Sequence, residues 1–598
     1  MRNLDWTKGR LPSLYFDPML EIMRHAVTDR PCGFDSVRSI RRLQRWAPLV
    51  LFVFGGISVL SSFAQPTQAT RHPAGNLQDM YNAAQHFQSA GDLAHAADAY
   101  RKFLINALWH LAEDHLQAGD YAGGAKLFEE AIAIEPGDVA PDLHLAYAQA
   151  ALSARDIPKA KSLADALATS NPKNPDARLV LGEALLQTDE DREARKQLEA
   201  AVALDPSYKN GLALATADLA LADTKSASSV FAEMSASFGN NAKLHLDVGK
   251  AYGESGFPDL AITEFKKAIA LDPHLPEAHY CLGASYMLSR GQEDFPEAAK
   301  EFHLELTLNP DDHFSLAQLG YIAFTERRFA EAETNLKRAA TLDPRNPDNP
   351  LLLGQVYMQL NRPADAEREL RRAIALTTDL SRNHYQVQRA HFLLGRLLVQ
   401  TGHTDEAKKE MQISASLLKQ NMLRDQAKLK GAPMGDAAGI APFQPQPDAN
   451  PLSGNARKEL EEFTARAAPA IADSYNNLGA IAAGAGEFAT ATGYFENAAK
   501  WNPSLEGLDY NWGRAAFSAR LYAQAVPPLA RYVVAHPQEI GARRVLGVSY
   551  FMTHDYAAVV RTLGPIESSL SATPQLANMY AQSVALANPK KKGPNGQP

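Results

Sequence analysis

Histidines close to carboxylates are the first places in this chain where chemistry could sit. His110, Glu113 and His115 read H-x-x-E-x-H. Zinc hydrolysis on a helix needs two histidines one turn apart, as in HExxH, because residues i and i+4 share a face. Five residues apart sends the two imidazoles to different faces, so no metal site is expected here. His384, His391 and His403 fall in one segment, with no carboxylate at ligand spacing beside them. The run Asp189-Glu190-Asp191 lies at a turn between two helical patterns and reads as a solvated cap. General acid–base work needs an enclosed pair of groups with separated pKa values, and nothing in the run implies one. The sequence has no G-x-x-x-x-G-K-[ST] phosphate loop and no G-x-S-x-G elbow. No catalytic residue, metal site or cofactor is expected, and the chain is not expected to be an enzyme.

These side chains ride on a helix pair that recurs about every 34 residues. At Pro175–Pro206 it carries Leu181-Gly182, Leu185, Ala194, Leu198, Ala201 and Pro206. At Ala242–Pro273 the same offsets carry Val248-Gly249, Tyr252, Ala261, Phe265, Ala268 and Pro273. The small residues have a steric cause: two antiparallel helices crossing closely leave room only for Gly or Ala. Position eight of the first helix supplies Gly182, Gly249, Gly283, Gly320, Gly354, Gly395, Gly479, Gly513 and Gly547. Position twenty, in the second helix, answers with alanine, among them Ala194, Ala261, Ala298 and Ala332. A larger apolar residue four positions later fills the space beside it: Leu198, Phe265, Phe302, Leu336. Proline then stops the second helix, as at Pro206, Pro273, Pro310 and Pro344.

The offsets L-G-x2-Y, A-x3-F and P resemble the tetratricopeptide repeat (TPR) family, and matched repeats cover most of the chain. About twelve such pairs are expected. The resemblance implies an all-α, right-handed solenoid with a concave groove that holds peptides or protein segments. The stretch Gly431–Gly454 has linker composition, with Pro433, Pro442, Pro445, Pro447 and Pro451. The expected organisation is therefore a first block over 77–430, a Pro/Gly-rich linker over 431–465, and a second block over 466–587. The Pro574–Ala587 helix would cap that block, and 588–598 reads as a disordered tail.

In this family positions two, five, nine and twelve of the first helix face the groove. Carried over, they give Tyr280 and Met287; Phe314, Tyr321 and Phe324; Leu351 and Met358; and Phe392. An apolar strip of this kind suits an amphipathic helix or an extended apolar segment. Arg389 and Arg396 at its end would hold an acidic group. The second block offers Asn476, Tyr510, Arg514, Phe517, Arg544 and Phe551. The alternative is that a slip of one position, or closure by neighbouring turns, makes part of this strip ordinary core. Asn511 and Arg544 fit poorly to the family's carboxylate grip, because Ala480 stands where an asparagine is needed.

Residues 1–64 differ in composition. Arg38, Arg41, Arg42 and Arg45 precede the apolar run Leu49–Leu60, and Ser62-Phe63-Ala64 offers a cleavage site. This reads as a secretory signal or, uncleaved, as a signal anchor, with 65–76 as a short linker. Either outcome puts the repeats outside the cytoplasm, in the periplasm, secreted, or tethered to the inner membrane. Cleavage would remove Cys32 and leave Cys281 alone, a small core residue of a first helix. The remainder then carries 51 basic against 63 acidic side chains. That balance disfavours nucleic acid.

The expected function is a non-enzymatic protein–protein interaction scaffold of the cell envelope, serving a secretion, pilus or polysaccharide-export assembly. Its expected partners are proteins or peptide segments, with membrane contact only through an uncleaved N-terminus. The alternatives are a carbohydrate-binding or enzymatic use of the same groove, or a self-assembling structural protein.

Overall fold

The computed structural model describes residues 77–134, 141–377, 380–429 and 454–587. The signal region, the 65–76 and 431–453 stretches, Pro136 and the 588–598 tail lie outside the described residues. The described residues form α-helices joined by short turns, with brief 3₁₀ segments and no strand among them.

Each pair is built the same way, as in Pro175–Gln187 with Asp191–Leu204, or Ala242–Glu254 with Pro258–Leu271. The turn inside a pair passes through the left-handed region at one fixed position. Gly256, Gly402 and Gly486 occupy it without steric cost, whereas Arg155, Asp189, Arg327 and His554 adopt φ of 64°, 60°, 62° and 63° there. The next amide reaches back to the first helix, as Glu190 N–H donates to the Leu185 carbonyl at 3.0 Å. This is the Schellman ending, and it satisfies carbonyls the helix leaves open. Side-chain caps start many of the helices: Asn174 accepts from Ala177 N–H at 3.0 Å, and Asp223 from Ser226 N–H at 3.1 Å.

The small positions mark where the two helices touch. Ala194, Ala261, Ala298, Ala332, Ala366, Ala491 and Ala525 are wholly buried. A methyl added at Gly249 would stand 2.5 Å from the Phe265 ring, and one at Gly182 would stand 2.5 Å from Leu198. Gly249→Ala is therefore expected to cost about 1–3 kcal/mol by overpacking. Chemical denaturation would check it; unchanged stability would show that the Phe265 ring can shift.

The helices fall into two compact units, one from residues 144–449 and one from residues 70–143 and 450–598. In the first, successive pairs bury continuous apolar clusters, one of them running from Leu212 through Phe231, Phe265 and Phe302 to Ile322. Cys281 lies wholly buried in that cluster, as a core residue should. Cys32 lies outside the described residues.

The second unit corrects the expected boundaries. The helices Leu77–Ser89, Leu93–Gln117 and Tyr121–Ile134 belong with Gly454–Ala587, not with the array that follows them in sequence. A period search orders repeats along the chain and carries no information on which faces meet. The expected linker is also shorter. Residues 454–465 are the first turns of the helix Gly454–Gly484, beyond the last proline of the Pro/Gly-rich stretch, and Lys458 pairs with Glu462 one turn on at 3.7 Å. The Pro574–Ala587 helix packs Leu576, Met579 and Tyr580 over Val559, Leu563 and Leu570.

Candidate functional site

Within each unit, stacking brings first helices of successive pairs side by side, and the layer of their positions two, five, nine and twelve is where the groove is expected. The structure divides the residues expected there. Tyr280, Met287 and Leu351 are buried, at 1%, 3% and 6% exposure. They are core, which corrects the expectation of an open strip at these positions. The cause is visible at Tyr280: its ring lies 5.8 Å from Phe302 below and 5.7 Å from Phe314 of the next pair, which closes over it. Phe314, Tyr321, Phe324 and Met358 remain half-buried. Tyr321 meets Phe295 edge-on at 6.2 Å, and Phe324 lies 6.1 Å from Phe329. Phe392 is exposed, with the Arg396 guanidinium 6.0 Å from its ring centre.

Arg389 and Arg396 do not act together. Arg396 is exposed, whereas Arg389 is half-buried and donates to Gln355 at 2.6 Å. Burial pulls the Arg389 guanidinium down to about 10, against the opposing effect of nearby Tyr321. In the other unit, Arg514 is exposed and lies 5.4 Å over Tyr510, whose ring stacks on Tyr532 at 4.8 Å. Arg544 is spent locally, donating to the Ser569 carbonyl at 2.9 Å. Asn476, Phe517 and Phe551 are half-buried, the two phenylalanines against Tyr522 and Tyr556.

Sequence reasoning missed the charges of this layer. Lys250 at position nine reaches Glu277 at position two of the next pair, at 2.7 Å. Burial pulls the Lys250 ammonium down, but Glu277, with Asp247 and Glu254 nearby, holds it above its ordinary value. Lys209 pairs with Asp176 in the same layer. Burial pushes the Glu183 carboxyl up to about 8, against the pull of Lys209, and the Asp348 carboxyl up to about 6. The available signal was the recurrence of opposite charges at positions nine and two of consecutive repeats.

The described histidines singled out for chemistry each have a local partner. His115 faces Asp120 at 2.7 Å, His110 lies 3.8 Å from Glu113, and His391 meets Glu410 at 2.5 Å. His403 meets the Thr401 hydroxyl at 3.1 Å, and the His384 side chain lies outside the described residues. The described residues contain no group of three or more His, Cys, Asp or Glu arranged to hold a metal ion. No helix among them is long and apolar enough to cross a membrane.

Family models match parts of this chain. Tetratricopeptide repeat models match residues 115–173, 151–217 and 323–386, and a TPR repeat model matches 249–289. Comparison with curated proteins finds no match. Among solved structures, MamA from Desulfovibrio magneticus RS-1 is 19% identical, with 30% of this chain and 97% of that one covered and a TM-score of 0.27. A structure of pilF from Pseudomonas aeruginosa is 21% identical, covering 36% and 97%, with a TM-score of 0.27. A tetratricopeptide repeat protein from Parabacteroides merdae is 11% identical, covering 49% and 99%, with a TM-score of 0.33. The family models fall on helix pairs sealed by glycine and alanine at the repeat's fixed positions, and over those residues this chain carries tetratricopeptide repeats, which imply a protein–protein interaction scaffold.

Proposed function

We propose that this chain is a non-enzymatic scaffold of the cell envelope that receives segments of partner proteins on its first-helix layer. The observation that carries the reading is the half-buried aromatic set Phe314, Tyr321 and Phe324. These rings lie outside the Gly–Ala seam that joins the two helices of their own pair, and they are not wholly enclosed. An apolar patch of this kind favours an amphipathic or extended apolar segment over a nucleic acid, whose phosphates ask for a basic surface. The envelope address is supported by the basic-then-apolar segment before Ala64, and the setting we favour is a secretion, pilus or polysaccharide-export assembly.

The test is capture from solubilised membranes with wild-type protein and with a variant carrying Phe314→Ala, Tyr321→Ala and Phe324→Ala. Loss of central aromatic anchors should weaken capture by tens-fold or more while helix content stays intact. Unchanged capture, or a variant that no longer folds, would remove these residues from the binding surface. Fractionation with N-terminal sequencing of the mature chain should find it outside the cytoplasm, beginning after Ala64; recovery in the cytoplasm would end the envelope reading.

A further inference from the structure

On the first-helix layer of the 144–449 unit, the described lysines are taken. Lys209 pairs with Asp176, Lys243 with Asp247, and Lys250 with Glu277. One carboxylate is left over. Glu183 holds position nine of Pro175–Gln187 and is half-buried. Its side chain makes no hydrogen bond or ion pair with any described residue.

No donor stands beside it. Gln149 and Thr216 hold position nine in the pairs before and after. Gln149 is exposed, and the Thr216 hydroxyl donates back to the Leu212 carbonyl at 2.9 Å. Lys209 is the charge that acts on Glu183, and its pull is outweighed: burial leaves the carboxyl at about 8. Asp348, whose carboxyl burial also pushes up, is placed differently. It stands in the first turn of Asp348–Gln359, where the helix's own N–H groups favour a negative charge. Glu183 lies too far along its helix for that support.

The surroundings fix the kind of group that would complete the site. Leu179 and Leu186 flank Glu183 one turn away on the same face of its helix. Leu145 and Leu152, positions five and twelve of the preceding first helix, are half-buried and pack against the cluster that holds both leucines. An apolar floor around a single carboxylate suits a long side chain with an apolar stem and a cationic head. A metal ion asks for more ligands than one carboxylate, and the described residues form no group of three that could supply them.

We infer that Glu183 docks a basic side chain, lysine or arginine, carried by a protein segment lying along this layer. The inference rests on the proposed function, because it names a feature of the segment received there.

The test uses the full chain and matched pairs of synthetic amphipathic peptides. One member of a pair carries arginine and the other glutamine at a single position, and that position is moved along the peptide. Wild type should bind the arginine member of the best pair about ten-fold more tightly or better. Glu183→Gln should bring the two members level with helix content unchanged, and Glu183→Arg should turn the preference toward a glutamate at that position. No preference in wild type, a preference that survives Glu183→Gln, or a Glu183→Gln variant that loses its helix content would overturn the inference. Failure of wild type to bind any peptide would sink the proposed function and this inference together. Unchanged binding by the variant carrying Phe314→Ala, Tyr321→Ala and Phe324→Ala would count against the proposed function alone.

Discussion

Phe265→Ala should cost this protein about 3–5 kcal/mol, the range for deleting a fully buried aromatic ring. Phe265 is wholly buried, and the ring lies against Gly249, the position that has no side chain to move into the space. The surrounding helices are held by Ala261, Ala268 and Tyr252, so the site cannot collapse and a cavity remains. Repeat arrays are stabilised mainly by nearest-neighbour interfaces, so the loss should be local. Amide exchange should rise across Ala242–Leu271 and the pairs beside it, while helices of the other unit such as Tyr522–Ala535 keep their protection. A uniform loss of protection over both units would show that the array unfolds as one cooperative body, contrary to this expectation.

Glu277→Ala should have the second-largest effect. It strands the Lys250 ammonium, which is enclosed and has Glu277 as its ion-pair partner at 2.7 Å. Breaking a buried pair by removing one member costs about 3–5 kcal/mol. Glu277 itself is about one-third exposed, so about 2 kcal/mol is the expected loss here. The double variant with Lys250→Met should recover most of it, since no charge is then left without a partner. The pH dependence has a definite sign. The folded pKa of Lys250 lies above the ordinary 10.5, so the pair's contribution is complete below that pH and is lost as the pH climbs through the folded value. Denaturant midpoints for wild type and variant should therefore converge only in strong alkali. Convergence near neutral pH would mean that Asp247 and Glu254 already hold the ammonium without Glu277.

The Gly–Ala seam was readable because steric exclusion at a helix crossing acts on single residue types at fixed offsets. Gly249, Ala261 and Phe265 stand in the sequence at the spacing they keep in space. The binding layer was only partly readable. Phe314, Tyr321, Phe324 and Phe392 keep some exposure, but Tyr280 has the same residue type and a groove position, and it is core. What separates them is how closely the next pair leans over, which depends on superhelical packing and not on the residue at the position.

By itself, the sequence determined the helix pairs, the turns between them and the small-against-large seam within each pair, because those are local contacts repeated at one period. Only the tertiary structure decided that Leu77–Ile134 joins Gly454–Ala587, that Tyr280, Met287 and Leu351 are enclosed, and that Lys250 answers Glu277. Each of these depends on which faces meet between elements. A repeat whose faces are all chemically alike does not specify its neighbour until the chain has folded.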